Sequence, residues 1–160
     1  MSELGCRYAI LPPISDFRRN HMDINIYVNQ KKINPLCSKA IAEYVKRLSP
    51  YCTMRIVCTP GHIKYSPGHN SMHYAVSAAD SSTPTISSEE FSRQINAVTS
   101  GGISKLNYYI GYPAEETADI HDMEAFSICT ISPSAGMTAL LLSEQVYRAY
   151  TILNNITYHK

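Results

Sequence analysis

The 160-residue chain is poor in charge and lacks the features of several common protein classes. Charged residues make up 17% of it, and 14 lysines and arginines nearly balance 13 aspartates and glutamates. A nucleic-acid partner would therefore have to bind a local patch, since the field of the whole molecule is weak. No apolar run approaches the roughly 18 residues that a transmembrane helix needs. Because the first residues also lack the pattern of a signal peptide, we expect a cytoplasmic protein without a membrane partner.

Two nucleotide-binding motifs are missing as well. The sequence has no G-x-G-x-x-G and no P-loop, which argues against a Rossmann dinucleotide site and a P-loop nucleotidase. The five cysteines, at positions 6, 37, 52, 58 and 129, form no C-x-x-C pair. We interpret them as free buried thiols in a reducing cytoplasm, with a disulfide framework or a cysteine nucleophile as alternatives.

Hydrophobic periodicity predicts strands that alternate with helices. Cap signals at Asn34-Pro35 and in the Ser87/Glu90 capping box start two of the helices. This order is typical of an α/β fold with a mostly parallel sheet and helices on both faces. Residues 1–21 show no period and are interpreted as an irregular amino-terminal extension to a single domain of residues 22–160. The predicted strands cover residues 22–28, 54–58, 74–78, 106–110 and 126–131, and the predicted helices cover 35–48, 87–100, 115–124 and 137–153.

The last predicted helix, residues 137–153, is apolar on nearly every side. Such a helix must be covered on more than one side, which favours a subunit interface over a wholly internal helix. In parallel sheets, ligands bind beyond the carboxyl ends of the strands. The loops after Ala78, Ile110 and Ile131 are therefore the first places to look for a site.

Three histidines, His62, His69 and His73, fall in one segment of the chain. The H-x-x-x-H spacing of the last two would place both imidazoles on one helix face for a metal ion, but Pro67 and Gly68 argue against a helix. We interpret them as solvated loop histidines, so no metal is expected. A metal-dependent hydrolase that uses all three stays open as an alternative.

The carboxyl-terminal segment carries a second group of functional candidates. Glu144 and Arg148 are four residues apart on the long helix and so share a face. They form either a simple charge pair or an arginine positioned to bind a phosphate or a base edge. The ending Tyr158-His159-Lys160 is either a frayed terminus or a group that stacks on a base, shares a proton and holds a phosphate.

Three stretches carry a resemblance to a known family: LLLSEQVYRAYTILNNITYHK at 140–160, AIAEYVKRLSPY at 40–51 and ISSEEF at 86–91. In order and spacing they resemble the bacterial 23S ribosomal RNA pseudouridine N3-methyltransferases, small members of the SPOUT superfamily. The resemblance covers nearly all of residues 22–160. It implies a carboxyl-terminal trefoil knot whose loops hold S-adenosylmethionine in a bent conformation. It also implies a homodimer with its site at the subunit boundary. The implied substrate is a pseudouridine in the large ribosomal subunit.

The resemblance also implies roles for individual residues. Arg148, Tyr158 and His159 would lie near the acceptor base, and Glu144 would orient Arg148. N3 of pseudouridine is a weak acid, so methyl transfer needs removal of its proton or stabilisation of its anion. The implied cofactor-binding residues are Val76, Gly111 and the segment Ile128, Cys129, Thr130, Ile131, Ser132 and Pro133, whose backbone would surround the adenine.

The chain departs from the family pattern at three places. The loop after the central strand reads Gly111-Tyr112-Pro113 where the family has G-G-x-x-G, and residues 60–72 replace a longer segment that contains a helix. Ser134-Ala135 and Ala139 stand where the family has a Pro-His pair and an arginine. A catalytically inactive SPOUT-fold homodimer that binds RNA or protein is therefore the alternative to an active methyltransferase.

Overall fold

The computed structural model describes residues 21–63, 68, 70–77, 83–117, 120 and 123–158. Predicted features that fall on other residues, including nearly all of the extension 1–21, lie outside the described part. In chain order the elements are β1 (Met22–Val28), α1 (Pro35–Leu48), β2 (Cys52–Cys58), β3 (Ser71–Val76), α2 (Ser88–Ser100), β4 (Lys105–Ile110), a short 3-10 helix (Ala114–Thr117), β5 (Glu124–Phe126) and α3 (Ala135–Leu153).

The strands form one five-stranded sheet in the order β2-β1-β4-β3-β5, and every neighbouring pair is parallel. Parallel neighbours need a crossover connection, which α1 supplies between β1 and β2 and α2 supplies between β3 and β4. The predicted α/β class with a parallel sheet is confirmed. All carboxyl ends of the strands consequently lie at one edge.

The helices begin where their cap residues predict. The Asn34 side chain accepts a hydrogen bond from the Leu36 backbone N–H at 2.9 Å, with Pro35 in the first turn of α1. In the predicted capping box of α2, the Ser87 backbone N–H donates to Glu90 at 2.7 Å and the Glu90 N–H donates back to the Ser87 hydroxyl at 3.2 Å. These bonds satisfy backbone donors that the helix itself leaves unpaired.

A single apolar core lies between one face of the sheet and the three α-helices. Ile24 and Ile26 of β1 are fully buried there, as are Leu142 and Val146 of α3. Helix α3 contacts both α1 and α2 and lies against β1 and β4. The prediction of helices on both faces is therefore wrong for the described α-helices, which all cover the same face. Neighbouring helices and the sheet account for much of the apolar surface of α3 within one chain.

The opposite face of the sheet is polar and aromatic. Asn25 donates to the Asn107 side-chain oxygen across the β1–β4 pair at 3.0 Å. Next along the strands, the Tyr27 ring stacks on Tyr109 with a centroid separation of 5.2 Å. His73 of β3 lies on the same face, with Nδ1 3.0 Å from the Tyr109 hydroxyl. The alternation of apolar and polar residues in β1 thus places its polar side chains away from the helices.

Several element boundaries differ from the prediction, and three elements differ most. β3 begins at Ser71 and ends at Val76, because its first residues pair in register with Lys105 and the residues after it. The predicted strand 126–131 ends at Phe126. The predicted helix 115–124 is a 3-10 turn over Ala114–Thr117, and the chain is already in β5 at Glu124. Among the described residues, no helix is long and apolar enough to cross a membrane.

Candidate functional site

A cavity of about 240 Å³ opens at the carboxyl edge of the sheet. It lies among the ends of β3, β4 and β5 and the first turn of α3. Its described lining is apolar with a few hydroxyl groups, and it contains no charged side chain. The described lining residues are Ala75, Val76, Ser77, Tyr109, Ile110, Gly111, Tyr112, Ile128, Cys129, Ser132, Pro133, Ala135 and Thr138.

The loop that follows β4 is held in place from two sides. Gly111 has a φ of 77°, a left-handed conformation that favours glycine over any residue with a side chain. Its carbonyl accepts a hydrogen bond from the Asn29 side chain at 2.8 Å, and the Asn29 oxygen accepts from the Gly61 N–H at 2.8 Å. The Tyr112 hydroxyl donates to the Thr59 carbonyl at 2.6 Å. The loops after β1, β2 and β4 are therefore fastened together beside the cavity.

The segment after β5 forms another wall of the cavity. The Ser127 hydroxyl donates to the Cys129 carbonyl at 2.7 Å, and the Cys129 thiol donates to the Ile131 carbonyl at 3.3 Å. These short-range bonds curl the chain before the Ser134 cap of α3. The Ile131 side chain points away from the interior and is 67% exposed.

Six of the eight residues predicted to bind the cofactor line the cavity: Val76, Gly111, Ile128, Cys129, Ser132 and Pro133. Thr130 and Ile131 are not among its described lining and are exposed. The sequence prediction did not include the aromatic side chains Tyr109 and Tyr112. The sequence could have indicated both residues, since Tyr109 lies near the end of the predicted β4 strand and Tyr112 directly follows Gly111.

The predicted catalytic group lies on the last turns of α3 and the residues that follow it. Arg148 Nε lies 2.9 Å from Glu144 Oε1, and Nη2 lies 2.8 Å from the same oxygen. The Arg148 guanidinium also lies over the Tyr158 ring, 5.7 Å from its centroid. Glu144, Arg148 and Tyr158 are therefore brought together as predicted. His159 lies outside the described residues.

Side chains of α1 extend this cluster. The Tyr147 ring meets Tyr158 edge-on at 4.9 Å and Tyr44 at 5.9 Å, and Arg47 lies 5.9 Å from the Tyr147 centroid. Burial and a hydrogen bond with Tyr44 raise the pKa of Tyr158. Tyr158 is exposed and Tyr44 and Tyr147 are half-buried, and aromatic rings beside arginines suit stacking on unpaired bases and contact with phosphates.

The cavity and the Arg148 cluster lie at opposite ends of α3. Thr138 lines the cavity, and Arg148 follows ten residues later, about 15 Å further along the helix axis. At that far end Tyr150 stacks on Tyr51, the residue before β2, with centroids 5.7 Å apart. The far end of α3 thus reaches the amino-terminal edge of the sheet. One chain by itself does not bring the two predicted groups together.

The histidines do not form a metal centre in the described part of the chain. His62 is paired with Glu116, and His73 has ring nitrogens beside the Tyr109 and Ser71 hydroxyls. His69 lies outside the described residues. The interpretation as a solvated loop residue is wrong for His73, which is buried in β3, and burial lowers its pKa. Within the described ranges no three histidine, cysteine or acidic side chains are grouped for a metal.

The four described cysteines are free thiols, but the prediction that they are buried is correct only for Cys52. Cys52 is buried under α3, and burial raises the pKa of its thiol to about 12. Cys58 is exposed at the end of β2, and Cys37 and Cys129 are half-buried. A thiol with a raised pKa is a poor nucleophile, which argues against a catalytic role for Cys52.

Comparison with known proteins gives consistent matches. The family model described as "Predicted SPOUT methyltransferase" matches residues 22–159. Ribosomal RNA large subunit methyltransferase H 1 of Thermoanaerobacter sp. strain X514 is 30% identical over 139 residues, which cover 87% of this chain and 100% of that protein. The methyltransferase H of Limosilactobacillus reuteri strain DSM 20016 is 32% identical over 145 residues, covering 75% and 88%. That of Clostridium perfringens strain 13 is 28% identical over 161 residues, covering 87% and 100%.

Proposed function

The chain belongs to the SPOUT methyltransferase family, and on that premise we propose that it methylates N3 of a pseudouridine in 23S ribosomal RNA with S-adenosylmethionine. The observation that carries the proposal is the cavity at the carboxyl edge of the sheet, lined by most of the residues implied for the cofactor. The relatives named as ribosomal RNA large subunit methyltransferases support the substrate. A ribosomal substrate places the enzyme in the cytoplasm.

The cavity residues fit S-adenosylmethionine. Val76 and Ile128 offer apolar walls for an adenine, and the Ser132 and Thr138 hydroxyls offer hydrogen bonds to a ribose. The left-handed backbone at Gly111 lets the main chain approach a ligand closely. When bound, the cofactor supplies a methyl group from its sulfonium and leaves as neutral S-adenosylhomocysteine, while the acceptor nitrogen loses its proton.

The Arg148 cluster would serve the acceptor base. Glu144 holds the guanidinium at 2.9 Å, so little side-chain freedom is lost when Arg148 meets the RNA. There the positive charge would stabilise the anion that forms as N3 is deprotonated. Tyr158 would stack on a base, and His159 would accept the proton.

A homodimer would join the two halves of the site. Thr138 and Arg148 are about 15 Å apart along α3, so in this proposal the cluster acts on the cavity of a partner subunit. Exposed apolar side chains occur at both ends, with Leu36 80% and Met137 40% exposed near the cavity and Ile156 43% exposed beyond Arg148. A two-fold axis would cover both patches at once and place each cavity beside a partner's Arg148. The trefoil knot belongs to the same proposal.

Mixed dimers test the function and the shared site together. Ala135→Phe should fill the cavity and abolish cofactor binding, and Arg148→Ala should abolish methyl transfer while cofactor binding stays near normal. Neither variant should label large ribosomal subunits from tritiated S-adenosylmethionine. After unfolding and refolding together, half of the dimers are mixed and each has one complete site. We expect about a quarter of wild-type activity from the mixture.

The outcomes are distinct. Activity restored only in the refolded mixture supports the shared site, with each variant refolded alone as the control. A site within one chain predicts no recovery. Absence of labelling by wild-type protein, with large subunits that still contain unmethylated pseudouridine, would contradict the proposed substrate. Thermal unfolding of both variants checks that each remains folded.

A second candidate function is a SPOUT homodimer that binds RNA or protein without catalysis. The specific observation in its favour is Tyr112, which lines the cavity at a position where a glycine would leave room. The cavity, at about 240 Å³, is also slightly below the usual range for ligand sites of about 300–1,000 Å³. Calorimetric titration of the full chain with S-adenosylmethionine separates the two. Binding supports the enzyme, and no heat from folded protein supports the binding module.

A further inference from the structure

Two neighbouring tyrosines lie at the cavity. Tyr109 and Tyr112 meet edge to face, with centroids 6.3 Å apart and an angle of 80° between the planes. Both belong to the described lining. An edge-to-face pair turns the electron-rich face of one ring toward the positive edge of the other and is a stable arrangement. Tyr112 stands where the family pattern has a glycine in this loop, and Tyr109 lies in the preceding strand.

Both rings are held in position. The Tyr112 hydroxyl donates to the Thr59 carbonyl at 2.6 Å, and Tyr109 is stacked on Tyr27 at 5.2 Å and beside His73 Nδ1 at 3.0 Å. Burial raises the pKa of Tyr112 to about 12, so its phenol is neutral at physiological pH. The two rings are therefore fixed in position and uncharged.

The electrostatics of the cavity are unusual for a site that receives a cation. No described lining residue carries a charged side chain, so among these residues a positively charged ligand finds no carboxylate. A cation that leaves water needs a compensating interaction, and the face of an aromatic ring provides one. Ile128 and Pro133 on the other wall offer no such face. The rings are the described side chains best able to stabilise a positive charge.

We propose that Tyr112, supported by Tyr109, binds the sulfonium of S-adenosylmethionine and makes the cavity selective for it over the neutral S-adenosylhomocysteine. The inference rests on the proposed function, since it needs a sulfonium in this cavity. Tyr112 is then a specificity-determining residue. Loss of the charge on methyl transfer weakens the contact, which favours release of the product.

Substitution of Tyr112 tests the proposal by binding alone. The dissociation constants of S-adenosylmethionine and S-adenosylhomocysteine are measured by calorimetry on the full-length protein. Tyr112→Leu keeps an apolar side chain and removes the ring, so the affinity for S-adenosylmethionine should fall about 2- to 30-fold more than that for S-adenosylhomocysteine. Tyr112→Phe keeps the ring and should retain the wild-type ratio of the two affinities.

Two further variants make the test specific. Tyr51→Leu removes a ring that stacks on Tyr150 at the amino-terminal edge of the sheet, away from the cavity, and it should leave the ratio unchanged. Tyr112→Trp provides a stronger aromatic face and the only tryptophan in the chain. It should raise the preference for S-adenosylmethionine, with a change in its fluorescence on binding. This variant keeps the proposal testable if the leucine variant fails to fold.

The results separate the two proposals. If wild-type protein binds S-adenosylmethionine and the ratio stays the same in Tyr112→Leu, the aromatic role is overturned while the proposed function stands. If Tyr112→Trp leaves the preference unchanged or lowers it, the aromatic role is likewise overturned. If the wild-type protein binds neither ligand, the cofactor assignment is overturned and the role of Tyr112 with it.

Discussion

His73 shows how the sheet changes the chemistry of a single side chain. It lies in β3 with its ring nitrogens beside the Tyr109 and Ser71 hydroxyls, at 3.0 and 3.1 Å. The Tyr109 ring is stacked beside it, with centroids 5.9 Å apart. Burial disfavours the charged imidazolium and lowers its pKa from the ordinary value of 6.5. His73 is therefore a structural residue of the polar sheet face.

Acidification should destabilise the fold through His73. The unfolded chain binds the proton more readily, so folded-state stability is complete above the ordinary pKa of 6.5 and decreases as the pH falls toward the lowered value. The urea midpoint should therefore fall from pH 7.5 to pH 5.5 by more in the wild type than in His73→Gln. Equal losses in the two proteins would show that His73 does not carry this dependence.

At the scale of elements, the helices depend on caps that act over a few residues. In α2, the Ser87 hydroxyl accepts from Glu90 N–H and the Glu90 carboxylate accepts from Ser87 N–H. The bonds to Ser87 also lower the pKa of the Glu90 carboxyl. Because both partners lie within one turn, this motif could be identified from the sequence.

Removal of the cap should weaken α2 and the whole domain with it. Ser87→Ala is expected to lower the free energy of unfolding by about 1 kcal/mol, since a backbone donor of the first turn loses its partner. Ser100→Ala makes the same chemical change at the exposed last residue of α2 and should have a much smaller effect. Urea denaturation of the two variants beside the wild type measures the difference. Similar losses in both variants would contradict the role of the cap.

At the scale of the molecule, the proposed dimer depends on the apolar side chains near the cavity. Leu36 lies in the first turn of α1 and Met137 in the first turn of α3, and both are exposed in the single chain. The amino-terminal ends of α1 and α3 are close to each other. A Cβ atom added at Gly136 would lie 3.3 Å from the side chain of Ile33, just before α1. These residues form a surface that a second copy can cover.

A charge in this surface should separate the protomers. Met137→Asp buries an unpaired carboxylate if the dimer forms, so sedimentation should show a shift from dimer to monomer with the loss of methyl transfer. Ala97→Asp places the same charge at an exposed position of α2 and should leave the dimer intact. A variant at Met137 that stays dimeric would exclude this surface as the interface.

The helices and most of the strands could be predicted from the residues alone, because caps and hydrophobic periods act between neighbours in the chain. Asn34-Pro35, Ser87 with Glu90, and the apolar run of α3 each identify a helix in this way. The β1 alternation likewise predicts which side chains face the core. The loop positions of Gly111 and the 128–133 segment followed from the strand ends and the resemblance.

Strand pairing and spatial separation required the tertiary structure. His73 has no local strand signal and joins β3 because Ser71 pairs with Lys105, more than thirty residues away. The placement of the three α-helices on one face depends on the strand order β2-β1-β4-β3-β5, which no local pattern encodes. Thr138 and Arg148 are about 15 Å apart along α3. Because α3 crosses the sheet from edge to edge, this distance places the two residues at opposite edges of the sheet. Contacts between distant residues form when the whole core packs, so only the folded chain reveals them.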